Sequence, residues 1–543
     1  MRDNRSERTN EKFPFRNRAG KENGLKKFVY SVLLFRRCIN LPNTPVRSNN
    51  FHRLTNPLLC VFLIPFAIFG SRNFTIAAPI PDFLCPDMPD FTIISLGCPK
   101  NMVDSENLVG RLMKAGYEFH ERSEQCDFIL VNTCGFLQAA RDEAREILDE
   151  LVTLKNEKQI KRIFVTGCLV NFEKERIVGE YPDIDAWIGV CDEPRIVEIV
   201  GSFFQPEFTA TLSRFFMGSQ DKIELDDSHR HLLLPQHVAY LKIADGCDRH
   251  CTYCAIPAIR GRFVSKPKEA ILDEARRLLD AGTKELVLIA QETTFWGTDL
   301  YGKPTLAPLL ESLKNLPGDF WIRLMYMYPL HFGDDLIELF AEKNGKILPY
   351  IDLPLQHASD TILKRMNRQV NRSETEALLE KLQTKIDGLV LRTSLIVGFP
   401  GETDAMFQEL LAFVHRWGFQ RGGVFAYSAE PGTAAVKFTD PVPRKKIQER
   451  FEHLLRTMGD LTDHWDTSRI GKQCDVLIDQ PIFAAKGREL DSVYWGRSYA
   501  EAPEIDPQVV VNGKNLAVGD KVVCEIVQVQ DGNLIAVAIN ENR

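Results

Sequence analysis

The stretch that decides the fold is AYLKIADGCDRHCTYC, residues 239–254. An apolar strand-like run, Ala239–Ala244, ends in a loop that carries Cys247, Cys251 and Cys254 in the spacing C-x3-C-x2-C. Three thiolates this close can hold three irons of a [4Fe–4S] cluster and leave the fourth iron open to a substrate. The amino and carboxylate groups of S-adenosylmethionine fit that open position. An electron passed into its sulfonium releases a 5′-deoxyadenosyl radical. A structural zinc ion is the plainer alternative, and His250 stands adjacent. Zinc ordinarily takes four ligands in two pairs, however, and no second C-x2-C lies near.

Working outward, further strand-like runs follow at Leu286–Ala290, Trp321–Tyr326, Ile351–Leu355, Leu391–Val397 and Gly423–Tyr427, with helical stretches such as Lys268–Ala281 and Ser373–Ile386 between them. Six βα units predict an α/β fold built as a partial (βα)6 barrel, with its chemistry in the loops after the strand C-termini. Upstream, strands over 91–96, 128–133 and 163–167 alternate with helices over 103–115, 138–155 and 173–180, which predicts a separate parallel α/β domain. Each of these three strands is followed by a cysteine: Cys98, Cys134 and Cys168, separated by 36 and 34 residues. Parallel strands deliver such residues to one sheet edge, where α/β proteins bind ligands. One such cysteine reads as packing; three in register read as a second three-thiolate site. Cysteines 38, 60, 85, 126, 191, 474 and 524 share no register and receive no role.

Downstream of 468 the helices stop. CDVLID, VVVNG and DKVVCEIVQVQ, with turns at Asn512-Gly513 and Asp531-Gly532, predict a small antiparallel β-barrel. The expected organisation is an extension over 1–87, an N-terminal domain over 88–200, a linker over 201–236, a barrel over 237–467 and a β-barrel over 468–543. The extension is basic, with 14 Lys/Arg against 4 Asp/Glu in residues 1–80, and holds the apolar run Pro57–Gly70. That run is shorter than the roughly 20 residues of a spanning helix. We read the extension as non-structural or as preceding a true start at Met88; a targeting segment and a membrane anchor are the other readings. With the whole chain at −7, the remainder stands at −17. An acidic body argues against nucleic acid as the main partner and suits a basic protein. Thirteen cysteines in 543 residues suit a reducing, cytoplasmic setting rather than a disulfide scaffold.

The two cysteine sets and the terminal β-barrel together resemble the radical methylthiotransferases over about residues 91–540. SLGCPKNMVDSE (95–106) and PLQHASDTILKRMNR (354–368) resemble the branch that modifies a ribosomal protein. The tRNA-modifying branch usually has Gln where this chain has Pro99, and Gln-Ser-Gly-Ser where it has Gln356–Ser359. The resemblance implies two [4Fe–4S] clusters, one on Cys247, Cys251 and Cys254 and one on Cys98, Cys134 and Cys168. It also implies S-adenosylmethionine, a methylthio transfer to the β-carbon of an aspartate in small-subunit ribosomal protein S-twelve, an electron donor, and no membrane. Cofactor contacts are expected at Tyr253, Gln291, Glu292, Gly398 and Gly401. Arg260 and Arg262 stand as carboxylate partners or surface charge, undecided. Residues 468–543 carry 8 Lys/Arg and 11 Asp/Glu, a net of −3, which fits a basic protein better than RNA. A tRNA methylthiotransferase and a non-catalytic ribosome-binding protein are the rival expectations.

Overall fold

A computed structural model describes residues 88–121, 126–205, 213–219, 225–343, 345–483 and 489–539. Residues 1–87, with the apolar run Pro57–Gly70, lie outside them.

The first sheet is parallel, with strands β1 (Asp90–Ser95), β2 (Glu118–Phe119), β3 (Phe128–Thr133), β4 (Arg162–Gly167), β5 (Ala186–Ile188) and β6 (Phe215–Phe216) in the order β2-β1-β3-β4-β5-β6. All six residues of β3 are buried, as expected of a central strand covered by helices on both faces. Helix α1 (Pro99–Lys114) follows β1, α2 (Gln138–Asn156) follows β3, and α3 (Cys168–Glu173) follows β4. Strand β6 lies inside the stretch read as a linker. Its partner β5 is short, and the ladder Trp187–Phe215, Ile188–Phe216 is too brief to leave a period in the sequence. Residues 225–234 also pack: Arg230 ion-pairs with Glu106 of α1 at 2.6 Å and with Glu274 at 2.8 Å.

The second sheet holds β7 (Val238–Lys242), β10 (Glu285–Ile289), β11 (Trp321–Leu324), β12 (Ile347–Asp352), β13 (Val390–Val397) and β14 (Arg421–Ala426), all parallel. Its order β14-β13-β12-β11-β10-β7 is open, the partial barrel that the six βα units predict. A short ribbon of β8 (Ala244–Asp245) and β9 (Val264–Ser265) flanks the cysteine loop. Strand β12 begins four residues before its expected start. Pro349 sits inside it, where the register shifts, and a proline is a poor sign of a strand interior. One face of the sheet packs on helices through Leu241, Leu288 and Leu324. The other carries Tyr240, Val287 and Tyr350, and is filled by Val103 of α1 and by Ala500 and Ala502 of the last domain.

Helix α5 (Arg444–Thr467) leads from β14, after a short helix α4 (Ile256–Arg260) near the cysteine loop, to a closed barrel. This comprises β15 (Gln473–Phe483), β16 (Glu489–Arg497), β17 (Val509–Asn512), β18 (Lys521–Gln530) and β19 (Asn533–Ala538). Four of its five pairings are antiparallel; β17 and β19 close it in parallel. Among the described residues no helix is long and apolar enough to cross a membrane.

Candidate active site

Cys98, Cys134 and Cys168 each follow the last residue of β1, β3 or β4 closely, and the parallel ladder aligns those ends. Gly97 adopts a φ of +98°, and a Cβ there would stand 2.7 Å from the Cys134 Cβ. Only glycine lets the two strand ends approach so closely. Asn101 fixes the middle of the group. Its Nδ2 donates to the carbonyls of Leu96 and Thr133, both at 3.0 Å. That turns its Oδ1 toward the thiols, 3.9 Å from Cys98 Sγ and 3.7 Å from Cys168 Sγ. Burial, then the neighbouring Cys168 and Cys98, pushes the Cys134 thiol up to about 12. Burial pushes Cys168 up to about 11, against the pull of Arg260.

The second group sits in the loop after β7 and β8. The Arg249 amide donates to Cys247 Sγ at 3.4 Å, and the Ile256 amide to Cys254 Sγ at 3.5 Å. The loop is pinned from outside as well: the Thr252 amide donates to the Met366 carbonyl at 3.1 Å, and Asn367 Nδ2 to the His250 carbonyl at 2.8 Å. Burial pushes the Cys247 and Cys254 thiols up to about 12, and for Cys254 the charges of Cys251 and Cys247 add to it. Such thiols stay protonated alone and give up their protons to a metal centre. A single zinc would need thiolates roughly 3.8 Å apart, from Zn–S bonds of about 2.3 Å. A structural zinc ion would also want a fourth protein ligand, whereas three thiols with one position left open are the donor set of an iron–sulfur group.

Arg260, undecided in the sequence, joins the two groups. It ends α4, directly after the cysteine loop, and is buried. Its Nε donates to Cys168 Sγ at 3.2 Å and its Nη2 to Asn101 Oδ1 at 2.6 Å. Its Nη1 meets Asp104 of α1 at 2.7 Å and Asp245, two residues before Cys247, at 3.2 Å. Burial disfavours the Asp245 carboxylate, yet Arg260 and Lys242 together hold it down to about 2. Cys168 also packs against Ala255 and Ile259. Arg262 stays on the surface, its side chain 87% exposed.

The other expected contacts are placed as follows. Tyr253 packs beside Met366 and Phe399. Gln291 donates to Asp245 at 2.7 Å, while its Oε1 is buried without a partner. Glu292 is taken by Arg249, in a forked pair at 2.8 Å on both arms, so its carboxylate ties β10 to the cysteine loop. At Gly398 and Gly401 a Cβ would strike Ile447 at 2.5 Å and Asp440 at 2.8 Å. Both also hold a positive φ, +77° and +85°, so packing and backbone alike call for glycine there. Lys100, Asn101, Asp104 and Arg249 were not singled out from the sequence. The signal for the first three was their helical spacing just after Cys98, which turns them toward the barrel.

Fold and thiol geometry define a radical S-adenosylmethionine protein with a second three-cysteine site. Residues 241–414 match the model for the radical SAM superfamily, 90–189 the one described as "Uncharacterized protein family UPF0004", and 470–539 the TRAM domain. The ribosomal protein uS12 methylthiotransferase RimO of Desulforamulus reducens is 40% identical over 81% of this chain and 97% of its own length. That of Geotalea uraniireducens is 41% identical over 82% and 97%. Among solved structures, the radical methyltransferase TsrM from Kitasatospora setae has a TM-score of 0.46 at 12% identity, over 62% of this chain and 72% of its own. The chain belongs to the ribosomal protein uS12 methylthiotransferase family of radical SAM enzymes. Membership implies S-adenosylmethionine and a [4Fe–4S] cluster.

Proposed function

We propose that this enzyme adds a methylthio group to the β-carbon of an aspartate in ribosomal protein uS12, in the cytoplasm. It would use two [4Fe–4S] clusters, S-adenosylmethionine and an external electron donor. The observation that carries this is the junction at Arg260, which holds Cys168 of one thiol group against the loop of the other. Two separate structural clusters would need no such contact.

When bound, the cluster on Cys247, Cys251 and Cys254 supplies one-electron cleavage of S-adenosylmethionine, and the group on Cys98, Cys134 and Cys168 supplies the sulfur. The need for a radical follows from the target: an aspartate β-CH2 is too weakly acidic for a side-chain base. The chain's own part is position. Arg249 and Glu292 hold the cysteine loop against β10. Asn101 and Arg260 orient the thiols of the first domain toward the barrel mouth. The buried Arg141–Glu430 pair, at 2.6 Å, clamps α2 to the loop after β14 and keeps the two mouths facing.

Mass spectrometry of uS12 and of tRNA, from cells with and without the gene, tests this. The methylthio mass on the uS12 aspartate peptide is expected to vanish with the gene. An unchanged uS12 with methylthio lost from tRNA would refute the protein substrate.

A further inference from the structure

Lys100 breaks a rule that the rest of the molecule keeps. Of the ten buried lysines and arginines among the described residues, nine carry an ion pair with a carboxylate. Lys100, 8% exposed, has none. Its ammonium lies 3.4 Å from the centroid of the Tyr326 ring. That contact offsets only part of the cost of removing an ammonium from water.

The platform is itself specially built. Tyr326 follows β11 with a φ of +59°, a conformation a bulky residue seldom holds unless its surroundings impose it. They do: its amide donates to Asp352 at 2.8 Å, and its carbonyl accepts from the Thr293 amide at 3.1 Å. The ammonium is thereby fixed at the strand C-termini, two residues along the chain from Cys98. Four acceptors lie near in the fold and are committed elsewhere. Asp104 and Asp245 hold Arg260 and Lys242, Asp352 holds Arg392, and Glu292 holds Arg249. No carboxylate is in ion-pair contact with this cation; only charge on Tyr326, on Cys98 and on the shared Asp245 favours it, which leaves it free to pair with an anion brought by a ligand.

We infer that Lys100 receives the side-chain carboxylate of the substrate aspartate and so selects an acidic residue for β-carbon modification. The inference rests on the proposed uS12 aspartate reaction. In aspartate the carboxyl carbon is bonded directly to the β-carbon. A cation gripping that carboxylate must therefore stand beside the atom that receives sulfur, and Lys100 stands beside Cys98. The carboxylate of S-adenosylmethionine is the other source of the same chemistry. It belongs with the open iron on the Cys247 loop rather than with the thiols next to Lys100.

Reconstituted full-length enzyme and two labelled uS12 peptides provide the test, one with the target aspartate and one with asparagine in its place. Fluorescence anisotropy reads binding for the wild type, Lys100→Met and Lys100→Arg. The wild type is expected to prefer the aspartate peptide by about tenfold or more, the scale of one charge-assisted contact. Lys100→Met is expected to bind both peptides equally, and Lys100→Arg to keep part of the preference. Iron content and cluster absorption of the variants should match the wild type; if Lys100→Met loses iron, Lys100→Gln carries the same comparison. An undiminished aspartate preference in the variant lacking the cation overturns the inference, and all the more so if its affinity for S-adenosylmethionine falls instead. A wild-type enzyme that modifies tRNA and neither binds nor modifies the aspartate peptide refutes the uS12 reading itself, a result distinguishable from failure of Lys100 alone.

Discussion

Arg260 gathers four partners from both domains, the Cys168 thiol, Asn101, Asp104 and, two residues before Cys247, Asp245. An N–H aimed at a cluster sulfur stabilises the reduced, more negative state of that cluster and raises its potential. Lys cannot replace it, because a single ammonium cannot serve a planar fork of acceptors. In Arg260→Lys the proposed cluster on Cys98, Cys134 and Cys168 is therefore expected to form but to have a lower midpoint potential. The cluster on Cys247, Cys251 and Cys254 should be nearly unchanged, as read by EPR-monitored titration. In Arg260→Met, Asp104 and Asp245 lose a buried countercharge, and a loss of roughly 3–5 kcal/mol of stability is expected by thermal unfolding. Equal potentials in wild type and Arg260→Lys would reduce Arg260 to a structural strut. The sequence left this arginine undecided because its value lies in what it joins, and Cys168, Asn101 and Asp104 are 92, 159 and 156 residues away along the chain.

Helix α1 is the element that carries the site between domains. It begins at Pro99, directly after Cys98, and presents Lys100, Asn101 and Asp104 inward. Farther along, Gly110 lies under the chain at His229: a Cβ there would stand 1.6 Å from the His229 carbonyl oxygen. Helix propensity alone favours alanine over glycine by about 1 kcal/mol. The crossing chain reverses that sign. Gly110→Ala is expected to lower stability by roughly 1–3 kcal/mol, the usual range for overpacking, and to loosen Arg230 from Glu106. A melting temperature above that of the wild type would show that the crossing segment yields at no cost. Where period or chemistry is local, elements of this kind were legible beforehand: the strands before Cys98, Cys134 and Cys168 and the cysteine loop itself stand as the alternation predicts. Strand β12 was displaced because Pro349 disguises its first half. Strand β16 was missed because Glu489, Asp491, Gly496 and Arg497 blur any alternation. The strand pair β5–β6 was missed because strands of three and two residues leave no period. The glycines of GFPGET read as a ligand cradle; Ile447 and Asp440 lie where a Cβ on them would stand, and no local pattern announces contacts that come from 49 and 39 residues away.

Over the whole molecule the charges divide into an internal set and a surface set, and the division changes what the acidic balance of the last domain means. Three of its acids face inward. Asp479 holds Arg497, Glu501 holds Arg469 and Arg421, and Asp506 bonds the Tyr350 hydroxyl at 2.5 Å. These lie mostly at the N-terminal ends of the barrel strands: Glu285, the first residue of β10, pairs with Arg497 and Arg323 there. The domain is thus attached mainly at the end opposite the cysteine loop, and those acids serve attachment rather than recognition. Among the acids that stay exposed, Asp475 and Glu525 stand on the neighbouring strands β15 and β18, beside the exposed Val523 and Val527, and offer a face to a basic partner. Charges at such a rim steer encounter and contribute little once the partner is seated. Reversing both, as Asp475→Lys with Glu525→Lys, is therefore expected to raise KM for uS12 several-fold at low salt with kcat unchanged. The difference should shrink as ionic strength approaches 0.5 M, where the screening length falls to about 4 Å. Steady-state methylthiolation of intact uS12 across a salt series measures it. A salt-independent effect, or one confined to kcat, would assign this face to the fold rather than to the capture of a cationic protein.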